Sequence, residues 1–154
     1  MLKKHGRTVE EAGQLFYELS EAFLKAYPAF LRRLLGYRTF SRRHIRNVRK
    51  VAAESQERQY PGDYVFAFVE GDGGAFDYGV DYTECAVCKF LTEQGAPELA
   101  PYICATDVLS SDALGWGLVR TMTLAEGYEK CDFRFKKGGK TRVPVPEALR
   151  DRGL

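Results

Sequence analysis

The chain has 154 residues, 45% of them hydrophobic and 29% charged, with a formal net charge of +2. That is enough apolar material for one domain with a real core, and it excludes intrinsic disorder. No stretch approaches the ~18 apolar residues of a membrane span, and so small a net charge points to no particular class of partner.

Met1 to Gly6 is basic, but no apolar stretch follows it, so the sequence predicts no leader peptide and a chain that stays in the reducing cytoplasm. The first third reads as helix. Thr8 with Glu11 three residues on has the form of a capping box, and Val9, Ala12, Leu15, Phe16, Leu19, Ala22 and Phe23 then recur at helical spacing. Pro28 kinks or restarts this helix, and Gly36 is a plausible stop. A second helix is expected over 41–57, with Ile45, Val48 and Ala52 inward. The period then changes. Residues 63–69 form a short apolar run, Glu70 to Gly74 is turn chemistry, and 75–83 alternates cleanly, with Phe76, Tyr78, Val80 and Tyr82 on one side. Two short helices follow, one over 84–93 stopping at Gly95, the other from Pro97 or Pro101 to about Ala113. A second hairpin is expected from Leu118 to Leu124 and Lys130 to Lys136, around a turn at Ala125-Glu126-Gly127. The polar tail from Lys137 onward reads as lying loosely on the surface.

The order αα-ββ-αα-ββ makes this an α+β protein, a single domain over 1–154. Its two hairpins join in one antiparallel sheet of about four strands, with helices packed on one face.

Four cysteines, Cys85, Cys88, Cys104 and Cys131, carry the chemical interest. In a reducing compartment they are packed, metal-bound or reactive rather than paired. Cys85 and Cys88 share one helix face, Cys104 and Asp107 repeat that spacing on the next helix, and Ser111 extends the second stripe. The spacing imitates a zinc site with one thiolate replaced by a carboxylate, but zinc ribbons hold their ligands on tight turns, so no metal is expected. A thioredoxin-like redox pair calls for a βαβ context, which this element order lacks. The plain alternative is that the cysteines are small buried hydrophobes. On the last strand, alternation puts Cys131, Phe133 and Phe135 on one face and Asp132 and Arg134 on the other. Arg120 sits among Leu118, Met122 and Leu124, so it is expected to be partly buried beside an anion: Asp107, Asp132 or a substrate carboxylate. As Arg120 and Cys131 come from the two strands of one hairpin, they are expected close together across it. The basic run of Arg32, Arg33, Arg38, Arg42, Arg43, Arg46, Arg49 and Lys50 is a solvated helix face or a phosphate-docking surface. No DNA-binding motif accompanies it, and nucleic acid is not an expected partner.

Cys85, then Gly95-Ala96-Pro97-Glu98-Leu99, then Cys104 and Asp107, then Arg120-Thr121-Met122-Thr123-Leu124-Ala125-Glu126-Gly127, then Cys131-Asp132-Phe133 resembles the L-2-amino-thiazoline-4-carboxylic acid hydrolase family, over about Tyr82 to Phe135. Cys88 has no clear counterpart in that pattern, and Tyr128-Glu129-Lys130 stands where family members often carry Gly-Asp-type residues. The last hairpin also resembles vinyl-reductase-type small-molecule-binding domains. The family resemblance implies hydrolysis of a small cyclic amidine, L-2-amino-thiazoline-4-carboxylate, to N-carbamoyl-L-cysteine, with no cofactor. In that reading Cys104, Asp107, Cys131 and Asp132 are the catalytic candidates, and Arg120, Cys85 and Ser111 contact the substrate. A cysteine thiolate attacking first and direct attack by water both fit. The second resemblance implies the rival reading, a non-catalytic binding or sensor module with a cysteine-lined pocket that is either metal-free or metal-binding. The sequence leaves a homodimer open.

Overall fold

A computed structural model describes residues 6–150; the basic N-terminal residues behind the leader reading lie largely outside that range. Helices α1 (Val9–Lys25), α2 (Ala29–Thr39) and α3 (Arg42–Ser55) come first, then strands β1 (Val65–Glu70) and β2 (Tyr78–Glu84). Helix α4 (Ala86–Glu93), a 3₁₀ turn (Pro97–Leu99), α5 (Ala100–Leu114), a second 3₁₀ turn (Leu124–Glu126), strand β3 (Cys131–Phe135) and a short α6 (Glu147–Arg150) complete the order. The capping box forms in full: Glu11 N–H donates to Thr8 Oγ1 at 3.1 Å and Thr8 N–H to Glu11 Oε2 at 3.0 Å. Pro28 restarts rather than kinks the chain, because it has no N–H to extend α1 and its fixed φ suits the start of α2.

Gly36 is not a stop. It lies inside α2, where a Cβ would collide with the Leu114 carbonyl of α5, so its role is close helix approach. The inward face of α1 also differs from the periodic reading. Ala12, Gly13 and Tyr17 are buried, whereas Leu19 and Phe23 are 61% and 63% exposed. Small residues let α1 come close to α5, with Gly13 over the Tyr102 ring, and this rotates the larger apolar stripe outward.

Two cores result. Tyr17, Tyr102, Ala105 and Leu149 join α1, α5 and α6. Ala52, Phe66, Tyr78, Val80, Leu118 and Phe135, with Ile45 and Val48 packed against them, join α3 to the sheet. Of the N-terminal helices, then, α3 backs the sheet and α1 packs on α5 instead. The basic run lies on α2 and α3, where Arg49 pairs with Glu70 at 2.8 Å and covers the Phe68 ring.

The sheet has three antiparallel strands in the order β1-β2-β3, rather than about four. The first hairpin forms as expected, its turn held by Asp72, which accepts from the N–H groups of Gly74, Ala75 and Phe76. Phe76 itself precedes β2 and sits by the Arg134 guanidinium, away from Tyr78 and Val80. The second hairpin does not form. Residues 118–124 run beside β3 but touch it as a ladder only at Val119, opposite Arg134. Side chains take the N–H groups that a ladder would use. Asp132 accepts from Thr121 N–H at 2.8 Å and Met122 N–H at 2.6 Å, and Cys131 Sγ from Leu124 N–H at 3.2 Å. On the far side of β1, Ser55 and Gln56 bond to the Phe66 backbone.

Over its described residues, to 150, the tail is docked rather than loose. Arg142 N–H donates to Leu118 O at 2.8 Å, and Leu149 is fully buried. Among the described residues no helix is long and apolar enough to cross a membrane.

Candidate active site

Four elements and one extended segment meet around a cavity of about 270 Å³. Helix α5 presents Cys104 and Asp107 from one face, and Ile103 and Thr106 beside them. Cys85 stands at the junction of β2 and α4. Tyr82, near the end of β2, pairs in register with Cys131, the first residue of β3. Arg120 enters from the extended segment, and Tyr64, Val87 and Phe133 complete the lining.

Arg120 organises the centre. Its side chain is 1% exposed, and it forms an ion pair with Asp107, whose side chain is 30% exposed. Of the two aspartates open to it in the sequence, Asp107 is the one it meets. Its second terminal nitrogen donates to the Cys104 carbonyl at 3.3 Å, while Nε is buried with no protein partner. With Val119 opposite Arg134, Arg120 falls against Phe133, whose ring centroid is 5.2 Å from the guanidinium carbon, rather than against Cys131. Leaving this cation buried without its carboxylate would cost several kcal/mol, so each member of the pair fixes the other.

Burial raises the Asp107 carboxyl above its ordinary value, and the charge and hydrogen bond of Arg120 oppose that rise. Burial also pushes the Cys104 thiol up to about 12, with Arg120 pulling it down and Asp107 and Cys131 adding to the rise. Cys131 is raised too, by burial first, though the Leu124 N–H and Arg120 partly offset it. Tyr82 is raised to about 12, chiefly by burial. Burial thus favours the neutral forms of Cys104, Cys131 and Tyr82 around the Asp107–Arg120 pair.

Cys85, Cys104, Asp107, Arg120 and Cys131 are thus brought together. Asp132 and Ser111 are not. Asp132 points to the other side of β3, where its carboxylate also accepts the Thr121 hydroxyl at 2.7 Å. Ser111 lies farther along α5, 1% exposed, sharing a hydrogen bond of 2.8 Å with Thr141 and accepting the Leu118 N–H at 2.9 Å. Neither lines the cavity, because the helical stripe continues past it and strand alternation sends Asp132 away from it. Sequence reasoning missed Tyr64 and Tyr82 as lining residues. The alternation of β2 placed Tyr82 inward, and its pairing with Cys131 was the available signal; nothing in the spacing marked Tyr64. A larger open groove of about 510 Å³ shares these two tyrosines and runs between α3 and β1. It contains no thiol, and its Arg58 is turned to Glu84 at 2.9 Å. No group of three or more metal-type side chains is arranged to hold an ion among the described residues.

Residues 2–135 match the model of a family described as L-2-amino-thiazoline-4-carboxylic acid hydrolase. No curated protein and no solved structure matches the chain.

Proposed function

Because the chain belongs to the L-2-amino-thiazoline-4-carboxylic acid hydrolase family, we propose that it hydrolyses a small cyclic amidine carboxylate of that type, with water attacking directly and Asp107 moving the protons. The observation that carries this reading is the Asp107–Arg120 pair facing a cavity of small-molecule size. An ion pair of this kind elsewhere in the protein would stiffen the fold; here its carboxylate keeps access to the cavity.

The steps balance as follows. The water oxygen bonds to the ring carbon between the two nitrogens and the sulfur. Asp107 takes a proton from that water and passes it to the ring nitrogen. When the carbon–sulfur bond breaks, Asp107 takes the proton of the new hydroxyl and passes it to the departing sulfur. The product is an N-carbamoyl amino acid with a free thiol. A carboxyl raised above its usual range is a stronger base than an ordinary aspartate, which suits it to this task. Arg120 is the positioning residue: its terminal nitrogens are already engaged by Asp107 and the Cys104 carbonyl, so it orients the base instead of clamping the substrate. A thiol pushed up to about 12 is a poor source of thiolate near neutral pH, which weighs against Cys104 as the nucleophile. Cys104 and Cys131 instead offer the substrate sulfur a polarizable wall.

The test is turnover of L-2-amino-thiazoline-4-carboxylate, followed by release of titratable thiol and by mass spectrometry of rapidly quenched enzyme. Steady thiol release with no covalent adduct is expected, and Cys104→Ala should keep most of the rate. An adduct on Cys104 would replace direct attack with covalent catalysis. Saturable binding without turnover would make the chain a binding module.

A further inference from the structure

We propose that Cys85 and Cys88 form a redox-active dithiol at the wall of the cavity, which low-molecular-weight disulfides oxidise to an intramolecular disulfide. This goes beyond the hydrolase reading and does not depend on it.

Strand β2 ends at Glu84, Cys85 is the N-cap of α4, and Cys88 lies on the first turn of that helix. The pair therefore has the local strand, Cys-x-x-Cys and helix start that dithiol chemistry uses, although the wider βαβ frame is missing. No side chain caps α4, so its first-turn N–H groups have no side-chain acceptor at the N-cap. The Cys85 sulfur stands at this N-cap, beside those N–H groups. Cys85 also lines the cavity, so reagents that enter the cavity meet it directly.

Cys88 suits the second step. Burial first, then the nearby charge of Cys85, push its thiol up to about 12. Cys85 lines the cavity and Cys88 does not, so Cys85 is the sulfur that a reagent in the cavity meets first. Cβ atoms three residues apart on a helix stand about 5–6 Å apart, and a disulfide needs about 3.5–4.5 Å. Cys85 is itself extended, with φ −120° and ψ 118°, so helical spacing does not fix its distance from Cys88. Both cysteines are free and half-buried, so neither closure nor reagent access requires unfolding.

The reaction balances. The Cys85 thiolate attacks a small disulfide, forming a mixed disulfide and expelling one thiolate. Cys88 loses its proton to solvent and attacks the Cys85 sulfur, expelling the second thiolate. Two protein thiols become one disulfide, and the small disulfide becomes two thiols. Oxidation draws the Cys85 sulfur toward α4 and so reshapes one wall of the cavity.

Oxidised glutathione is the probe. The native protein is incubated with it, free thiols are blocked, and the modified sites are mapped by mass spectrometry. We expect a Cys85–Cys88 disulfide that dithiothreitol reverses. Cys88→Ser should stop at glutathione bound to Cys85, and Cys85→Ser should give neither product. The proposal falls if glutathione settles on Cys104 or Cys131 first, if it remains on Cys85 of the wild-type protein, or if no disulfide forms until denaturant is added. The wild-type map decides the matter alone if a serine variant fails to fold. None of these results depends on turnover, so they stand apart from the fate of the hydrolase reading.

Discussion

Two aspartate–arginine pairs lie on opposite sides of the same sheet. On one side Asp107 faces Arg120 at the cavity; on the other Asp81 faces Arg134 and Lys130, each at 2.7 Å. The residue types are the same and the environments differ. At Asp81 burial raises the carboxyl, but hydrogen bonds and charge from two cations outweigh it, and the net shift is downward. At Asp107 one arginine does not outweigh burial, and the net shift is upward. A carboxylate fully served by its partners is a structural group with nothing left to offer. One that burial leaves under-served stays basic and open to a ligand, which is the usual signature of a carboxyl that does chemistry.

The largest effect that would sharpen this contrast is on rate. Asp107→Asn should lower kcat for cyclic amidine hydrolysis by about 10²–10⁴-fold, the range for loss of a positioned general base, while Asp81→Asn leaves it nearly unchanged. Equal losses from the two variants in steady-state assays would erase the distinction.

Next comes stability. Arg120→Met strands a buried carboxylate and should cost about 3–5 kcal/mol. Removing Asp107 as well, in Arg120→Met/Asp107→Leu, should recover most of it. Arg134→Met, nearer the surface and with Lys130 still in place, should cost roughly 1 kcal/mol. Urea unfolding of the four proteins measures this, and a double variant no better than Arg120→Met would show that the arginine acts through packing alone.

The smallest effect is a difference of sign with pH. Asp81 is shifted down, so its contribution to stability is present above its ordinary 3.8 and is lost as pH falls through the folded value. Asp107 is shifted up, so its contribution is present below 3.8 and is lost as pH rises through its folded value. Relative to wild type, Asp81→Asn should therefore close its stability gap in acid, while Asp107→Asn should fall behind there. Parallel curves for the two variants in acid unfolding would mean that the two carboxyls are alike.

Much of this contrast was legible before the fold was known. Helical spacing put Cys104 and Asp107 on one face, and the apolar company of Arg120 demanded an anion nearby, so the centre of the site followed from local rules. The failures were tertiary. Asp132 matched the family motif as well as Asp107 did, but strand alternation turned it away from the cavity and gave it backbone N–H groups to hold. Those same bonds removed the fourth strand: the pattern of 118–124 is strand-like, and no periodicity reveals that a neighbouring carboxylate will take its N–H groups. The inward face of α1 failed for a related reason. Hydropathy follows the large residues, whereas the contact of α1 with α5 was decided by Gly13, which lets the Tyr102 ring lie against its backbone.

The polar side chains that border the outer strands have one more consequence. An open sheet margin is a template on which another chain can add a strand, the usual route to fibrous aggregation. Here the Phe66 backbone of β1 is occupied by Ser55 and Gln56. Beyond β3, the N–H groups of Thr121, Met122 and Leu124 are occupied by Asp132 and Cys131. A three-stranded sheet this small would otherwise offer recruiting surfaces on both flanks. Asp132, which does not line the cavity, holds two N–H groups that an added strand would otherwise find free.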